Sequence, residues 1–360
     1  MRIRSLLLCY LLLGFAYAAF SSSSFIQNGN DSGKGANQKI YSKNPEANTL
    51  YIEGLEYLSK DPWHGGSLLN AQKALELFRQ AVKKDPQFAL AYIGQADAMD
   101  LFGRSVSGMS PPVKVYRQEE AAVLKAAAVD DSLPQAHFML ARIYYDNEYD
   151  WPKAEKEIKR TIQLAPDAAK FHTLYSFFLG SMGRFEEAKA QAELAQTLDE
   201  KYAPATRALS LILYWEHQDD AAIAKGLEAL KKDDNLRTHF YLGYAYLHKG
   251  EFQKGIEEIK RSSFNDADSL AALAYAYAIA GDKTELQDAL ERLKHHPSTA
   301  PYGLAQVYAA LGEKDRAISS LEVAYQERSN RMNYLKVDPA FDPLRQEPRF
   351  KELMHKMNFE

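Results

Sequence analysis

FYLGYAYLHKGEFQKGIEEIKRS occupies Phe240 to Ser262, and its small and bulky residues fall at fixed offsets. Starting from His239, the order is His-x-x-Leu242-Gly243-x-x-Tyr246, then Gly250, Phe252, Gly255-x-x-x-Ile259 and Ser262. The same order returns as Pro301-x-x-Leu304-Ala305-x-x-Tyr308, Gly312, Ala317-x-x-x-Leu321 and Ala324. It is present again as Gly54-x-x-Tyr57, Ala74-x-x-x-Phe78, Ala81 and Pro86. A helix that carries a small residue where it crosses its partner lets the two backbones approach, and bulky residues fill the groove beside the crossing.

The frame extends along most of the chain. Its first-helix small position is Gly54, Ala96, Ala141, Ser176, Ser210, Gly243, Ala274 and Ala305. Its late second-helix small position is Ala81, Ala126, Thr161, Ala195, Ala229, Ser262, Leu293 and Ala324. Leu293 alone departs from Gly, Ala, Ser or Thr. A period near 34 residues with this pattern resembles the tetratricopeptide repeat (TPR), in the form seen in bacterial secreted or envelope proteins. The resemblance implies an all-α, right-handed superhelical solenoid of about eight helix-turn-helix repeats with a C-terminal capping helix. One pair cannot bury its apolar face alone, so neighbours must stack. Gly183, Gly250, Gly281 and Gly312 fall at the turns between helices, where positive φ is often needed; Pro86 and Pro166 close repeats.

The resulting organisation has an N-terminal leader at 1–18, a Ser/Gly/Asn-rich tether at 19–45, an array at 46–327 and a cap at 328–360. The repeats are expected at about 46–87, 88–132, 133–167, 168–202, 203–235, 236–266, 267–297 and 298–327. Insertions lengthen the helix-helix turns of the first two repeats, near 60–70 and 103–114. Asp338, Pro339 and Pro343 break the repeat pattern, and a final helix from about Pro343 or Pro348 would turn Phe350, Leu353, Met354 and Met357 inward.

Arg2 and Arg4, the apolar run Leu6 to Phe15 and Ala16-Tyr17-Ala18 follow the order of a cleaved secretory signal. The alternative is an uncleaved membrane anchor, although the apolar stretch is shorter than the roughly 20 residues that span a bilayer. Cleavage would remove Cys9, the single cysteine, and leave no disulfide or cysteine metal site. Charged residues make up 26% of the chain and its net charge is −4, so no basic excess points to nucleic acid. The expected location is periplasmic or extracellular, with no stable membrane span after cleavage.

No catalytic constellation stands out. Trp63-His64-Gly65-Gly66 lacks the Lys-Ser/Thr ending of a phosphate loop, and no nucleophile elbow is present. His137, His172 and His239 share one place in three repeats, too far apart to share a zinc ion. Asp130-Asp131, Asp219-Asp220 and Asp233-Asp234 read as turn and cap residues. Asp61, His64 and Arg104 on the two insertions are the weak candidates for a hydrolytic site. The expectation is therefore no enzyme, no cofactor and no metal.

The resemblance implies a concave groove lined by the first helices. Carried over repeat by repeat, its positions are Phe138, Arg142 and Tyr145; Thr173 and Phe177; Arg207, Leu211 and Tyr214; Arg237, Phe240 and Tyr244; then Tyr275, Tyr302 and Gln306. Aromatic residues and arginine are the usual anchors of interfaces; the alternative is that these rings pack between repeats. The Lys/Asn clamp by which some family members grip a C-terminal carboxylate is absent. The expected function is a non-enzymatic scaffold that binds a protein or peptide in this groove. The alternative is a structural or assembly subunit of an envelope complex, acting through homo-oligomerisation. A hydrolytic enzyme is the reading with least support.

Overall fold

The computed structural model describes residues 41–59, 67–107, 113–262, 267–296 and 300–359. The leader, most of the tether, the centres of both insertions, and Asp61 and His64 with them, lie outside those residues, as does the side chain of Arg104. The described residues are helical and contain no strand. The α-helices are α1 Pro45–Ser59, α2 Ser67–Lys84, α3 Ala89–Ser107, α4 Val113–Val129, α5 Pro134–Ile143, α6 Trp151–Leu164, α7 Ala169–Ser181, α8 Phe185–Leu198 and α9 Ala203–Trp215. They continue as α10 Asp219–Lys232, α11 Leu236–His248, α12 Phe252–Ser262, α13 Ala267–Ala280, α14 Lys283–Lys294, α15 Pro301–Ala310, α16 Lys314–Gln326 and α17 Pro348–Lys356. Within each unit neighbouring helices pack on one another in a TPR-like arrangement. The chain forms two compact units, up to Asn147 and from Glu148 onward; α1 to α5 belong to the first and α6 to α17 to the second.

All sixteen small-frame positions are buried. The close approach is literal in the second unit. A Cβ on Gly243 would sit 2.6 Å from Ile259 Cγ1 and 3.0 Å from the carbonyl oxygen of Gly255. Gly255 faces Leu247 in the same way, at 2.7 Å. In the first unit the ring of Phe78 on α2 fits against two glycines, Gly54 on α1 and Gly94 on α3; a Cβ on either would clash with it. Leu293, the odd member of the frame, packs with Ala267, Leu270, Ala271 and Ala300. Small neighbours there leave room for its larger side chain. Replacing Gly243 by Ala is expected to destabilise the second unit by about 1–3 kcal/mol, because backbone and Ile259 must both give way. Urea unfolding followed by circular dichroism measures this.

The turn glycines Gly183, Gly250, Gly281 and Gly312 have φ of 76°, 86°, 75° and 76°. Two repeats make the same turn without glycine, at Tyr149 (φ 54°) and His217 (φ 60°). The shared histidine position proves to be a brace between a first helix and the turn before it. His172 Nε2 lies 2.7 Å from the carbonyl oxygen of Pro166, His137 Nε2 3.0 Å from that of Asp131, and His239 Nε2 2.7 Å from Asp234 Oδ1. The second ring nitrogen of His172 meets Gln191 on α8, and that of His239 meets Glu258 on α12. A buried ring satisfied on both nitrogens holds pair to turn. Among the described residues, no cluster of three His, Cys, Asp or Glu side chains could hold a metal ion. No described helix is long and apolar enough to cross a membrane.

Two expected boundaries need correction. The tether does not extend to residue 45: Asn48 Oδ1 accepts from the Tyr41 amide, Ser42 Oγ donates to Asp85 and Asn44 Nδ2 donates to the carbonyl of Lys84. Asn44 also accepts from the Glu46 and Ala47 amides at the start of α1. These bonds satisfy otherwise unpaired N–H groups and hold 41–45 against the first pair. The second insertion is not all loop, since α3 runs to Ser107 and α4 begins at Val113.

Candidate functional site

The first helices of the second unit place the expected groove residues on one face. Tyr244 on α11 stacks on Tyr275 of α13, with centroids 5.3 Å apart and planes 16° apart. Tyr214 of α9 meets Tyr244 edge-on, and Phe240 lies 4.9 Å from the Tyr244 ring. Tyr302 of α15 continues the row. Tyr214, Tyr244, Tyr275 and Tyr302 are nonetheless buried, between 1% and 6% exposed. The groove expected to be open here is filled by the chain's own C-terminal segment.

After α16 the chain forms two 3₁₀ turns, Asn330–Tyr334 and Pro339–Leu344, before α17. Tyr334 packs on Trp215 of α9 at 5.1 Å. The Arg331 guanidinium lies 4.7 Å from the Tyr302 ring and 5.4 Å from that of Phe240, and its Nη1 is 3.8 Å from Asp268 Oδ1 on α13. Arg331 Nη2 also donates to Gln306 Oε1 at 3.2 Å, and the Tyr244 hydroxyl donates to the same oxygen at 3.0 Å. Asp338 accepts from the Tyr302 hydroxyl at 2.7 Å, from Gln306 Nε2 at 2.9 Å and from the Ala340 amide at 3.0 Å. Phe341 meets Tyr302 edge-on at 5.2 Å.

The electrostatics follow from enclosure. Burial raises the Asp338 carboxyl above the usual carboxylate range, outweighing the Tyr302 and Ala340 hydrogen bonds and Arg331. Burial, with the Asp338 charge beside them, also raises the hydroxyls of Tyr214, Tyr275 and Tyr302. Burial alone would lower the Arg331 guanidinium, but Tyr244, Asp268 and Tyr302 more than offset it. Within this network Asp338, Gln306 and the hydroxyls of Tyr244 and Tyr302 find their partners in the chain, while Arg331 Nη1 and Asp268 Oδ1 are enclosed 3.8 Å apart without a hydrogen bond between them.

The segment then returns to the start of the unit. Trp151 Nε1, on the first turn of α6, donates to the carbonyl of Met357 at 2.7 Å, and its ring stacks on Phe359 at 4.9 Å. Asn358 Nδ2 donates to the carbonyl of Tyr149. Helix α17 does turn Phe350, Leu353 and Met354 inward, and Met357 is fully enclosed. It starts at Pro348, because Pro343 falls inside a 3₁₀ turn. The segment closes the last pair and also covers the first-helix face back to α6. Met332, Leu335, Val337, Phe341 and Leu344 of the segment are all buried, and their apolar character beyond the last repeat is the signal the sequence carries.

The other expected site residues separate by unit. In the first, Phe138 is buried and Tyr145 half-buried in the π turn that follows α5. Arg142 is engaged within its own unit: its Nη2 is 3.1 Å from Asp100 Oδ1 and 3.6 Å from Glu119 Oε1, both enclosed. In the second, Thr173 and Leu211 are core residues and Gln306 belongs to the Asp338 network. Phe177, Arg237 and Phe240 remain half-exposed, while Arg207 beside them is buried.

No protein-family model matches the sequence, and no curated protein matches it. Solved structures of similar fold do exist. Yeast Tom70 superposes with a TM-score of 0.53 at 15% identity, over 94% of this chain and 72% of that one. A human IFIT1 dimer with m7Gppp-AAAA gives 0.51 at 13% identity, over 88% of each chain. YrrB, described as a TPR protein with an unusual peptide-binding site, gives 0.37 at 17% identity, over 60% of this chain and 99% of that one. At these identities the likeness to Tom70 and IFIT1 is one of fold alone.

Proposed function

We propose that this chain is a non-enzymatic scaffold that binds a protein or peptide outside the cytoplasm, on the part of the first-helix face that its C-terminal segment leaves open. One observation carries the reading. The face already holds a polypeptide in irregular conformation, residues 329–345, through stacked rings, a guanidinium and a carboxylate. A surface of that chemistry suits chain segments, and the half-exposed Phe177, Arg237 and Phe240 continue it beyond the segment. The Arg2-Arg4 leader and the cysteine-poor composition support export. IFIT1 holds a capped oligonucleotide on a similar fold, so a capped oligonucleotide is a necessary control.

The test is photo-crosslinking of the exported chain in its native envelope, with the crosslinker placed at the open face. Phe177→Ala combined with Phe240→Ala should abolish the protein adducts while the circular dichroism spectrum is retained. Adducts unchanged in that variant, or a capped oligonucleotide bound in preference to protein, would reject the reading.

A further inference from the structure

Among the described residues Arg142 and Arg207 are buried and Arg331 is half-buried against the array; Arg142 and Arg331 have carboxylates. Arg142 has Asp100 and Glu119; Arg331 has Asp268. Arg207 differs. It projects from α9 three residues before the small-frame Ser210, and it is 4% exposed. Its Nε is enclosed without a hydrogen-bond partner, and among the described residues nothing forms a hydrogen bond or ion pair with the rest of its fork.

The surroundings of Arg207 repeat the imbalance. The charged and titratable groups whose fields reach it are Arg237 and Tyr241 on α11, Tyr202 just before α9, and Asp233 in the turn after α10. Asp233 is exposed, and among the described residues no ion pair joins it to Arg207. Arg237 is a second cation whose side chain has no carboxylate partner among the described residues. The hydroxyl of Tyr202 is also enclosed without a partner. Burial, reinforced by Arg237, brings the Arg207 guanidinium down to about 10, and burial pushes the Tyr202 hydroxyl up to about 12. An unpaired buried cation is costly in stability, and such costs concentrate where a site is organised for a ligand.

We propose that Arg207, with Arg237 and the hydroxyls of Tyr202 and Tyr241, forms a carboxylate-binding site for an acidic segment of a protein partner. A planar guanidinium fork pairs with a carboxylate through two parallel N–H···O bonds, and a lysine cannot reproduce that geometry. The half-exposed Phe240 on the same helix as Arg237 supplies apolar area next to the charge. The proposal rests on the scaffold reading and adds the chemistry of what is bound.

The test is an anisotropy titration of the full exported chain with labelled probes. These are an acetylated and amidated hexaglutamate peptide, its glutamine counterpart, and a neutral peptide with a free α-carboxylate; unlabelled inorganic phosphate is the competitor. One of the two carboxylate probes should bind, in preference to the glutamine peptide. Arg207→Met should weaken it about tenfold or more, and Arg207→Lys nearly as much. Arg207→Met should also unfold at a higher temperature, since it removes an unpaired buried charge. Should that variant not fold, Arg237→Gln, at a half-exposed position, should still weaken the probe several-fold. The proposal is overturned if neither carboxylate probe binds, if phosphate displaces the probe at equal concentration, or if the arginine variants bind like the parent. Envelope adducts retained alongside a failed carboxylate titration would reject this site alone. Adducts lost from the parent's double-Phe variant test the scaffold reading independently.

Discussion

Asp338→Ala is expected to lower the unfolding free energy of the second unit by about 3–5 kcal/mol. The carboxylate accepts three hydrogen bonds, from Tyr302, Gln306 and Ala340, in full enclosure. Its removal leaves a buried hydroxyl, amide and backbone N–H without their acceptor. It also removes a negative charge near Arg331, whose remaining carboxylate is Asp268 at 3.8 Å. Each orphaned buried group costs about 1–3 kcal/mol, and the costs are not fully additive. Asp338→Asn keeps an acceptor of the same shape and should cost less. The two variants also differ in pH response. Because the folded carboxyl titrates above its unfolded value of 3.8, the native state holds more protons in the window between those two values. Parental stability therefore falls as pH rises through that window. The asparagine variant lacks this titration, so its deficit should be largest in acid and shrink as pH rises. Trp215, stacked near Tyr334, gives a local fluorescence readout in urea titrations at several pH values. Equal loss at every pH would contradict a carboxyl at Asp338 that is raised by burial.

In the first unit the largest single effect is expected from Arg142→Ala, also about 3–5 kcal/mol. The substitution deletes the guanidinium that faces Asp100 and Glu119 and leaves two enclosed carboxylates beside each other. Two like charges are then left enclosed without that counter-ion. Replacing all three residues together, as Arg142→Met, Asp100→Leu and Glu119→Leu, should recover most of the stability, because well-packed apolar groups can substitute for a buried ion cluster. Differential scanning calorimetry on the single and triple variants separates the two outcomes. A single variant as stable as the parent would show that the cluster is solvated. The contrast with Arg207 is direct: loss of Arg142 should destabilise the protein, whereas Arg207→Met should stabilise it.

The repeat frame was legible because close helix crossings demand small side chains wherever they occur, a local constraint that leaves a periodic trace. Gly243 against Ile259, and Phe78 between Gly54 and Gly94, are that constraint in atomic form. The turn at His217 was not legible, since a left-handed φ of 60° on a non-glycine residue has no composition signature. The histidine brace was half legible. Its common register at His137, His172 and His239 is in the sequence, but the partners at Pro166 and Asp234 depend on how each turn folds back.

The groove list illustrates the same division. The resemblance implied the first-helix positions Tyr214, Tyr244, Tyr275 and Tyr302; in the structure Tyr244 stacks on Tyr275. Register carried no information about what lies over the face, since a segment about 30 to 120 residues away covers it without any repeat pattern of its own. Short-range periodicity of small and large residues thus determines an all-α, TPR-like stack of helix pairs. Tertiary structure decides which of those side chains still meet solvent: Asp338 and Arg331 arrive from the C-terminal segment to enclose the tyrosines, while Arg207 is buried without a counter-charge. The physical reason is range. Helix crossings are settled between neighbours in sequence, whereas burial and charge pairing on the exposed face are settled by a distant part of the chain that must fold back to reach it.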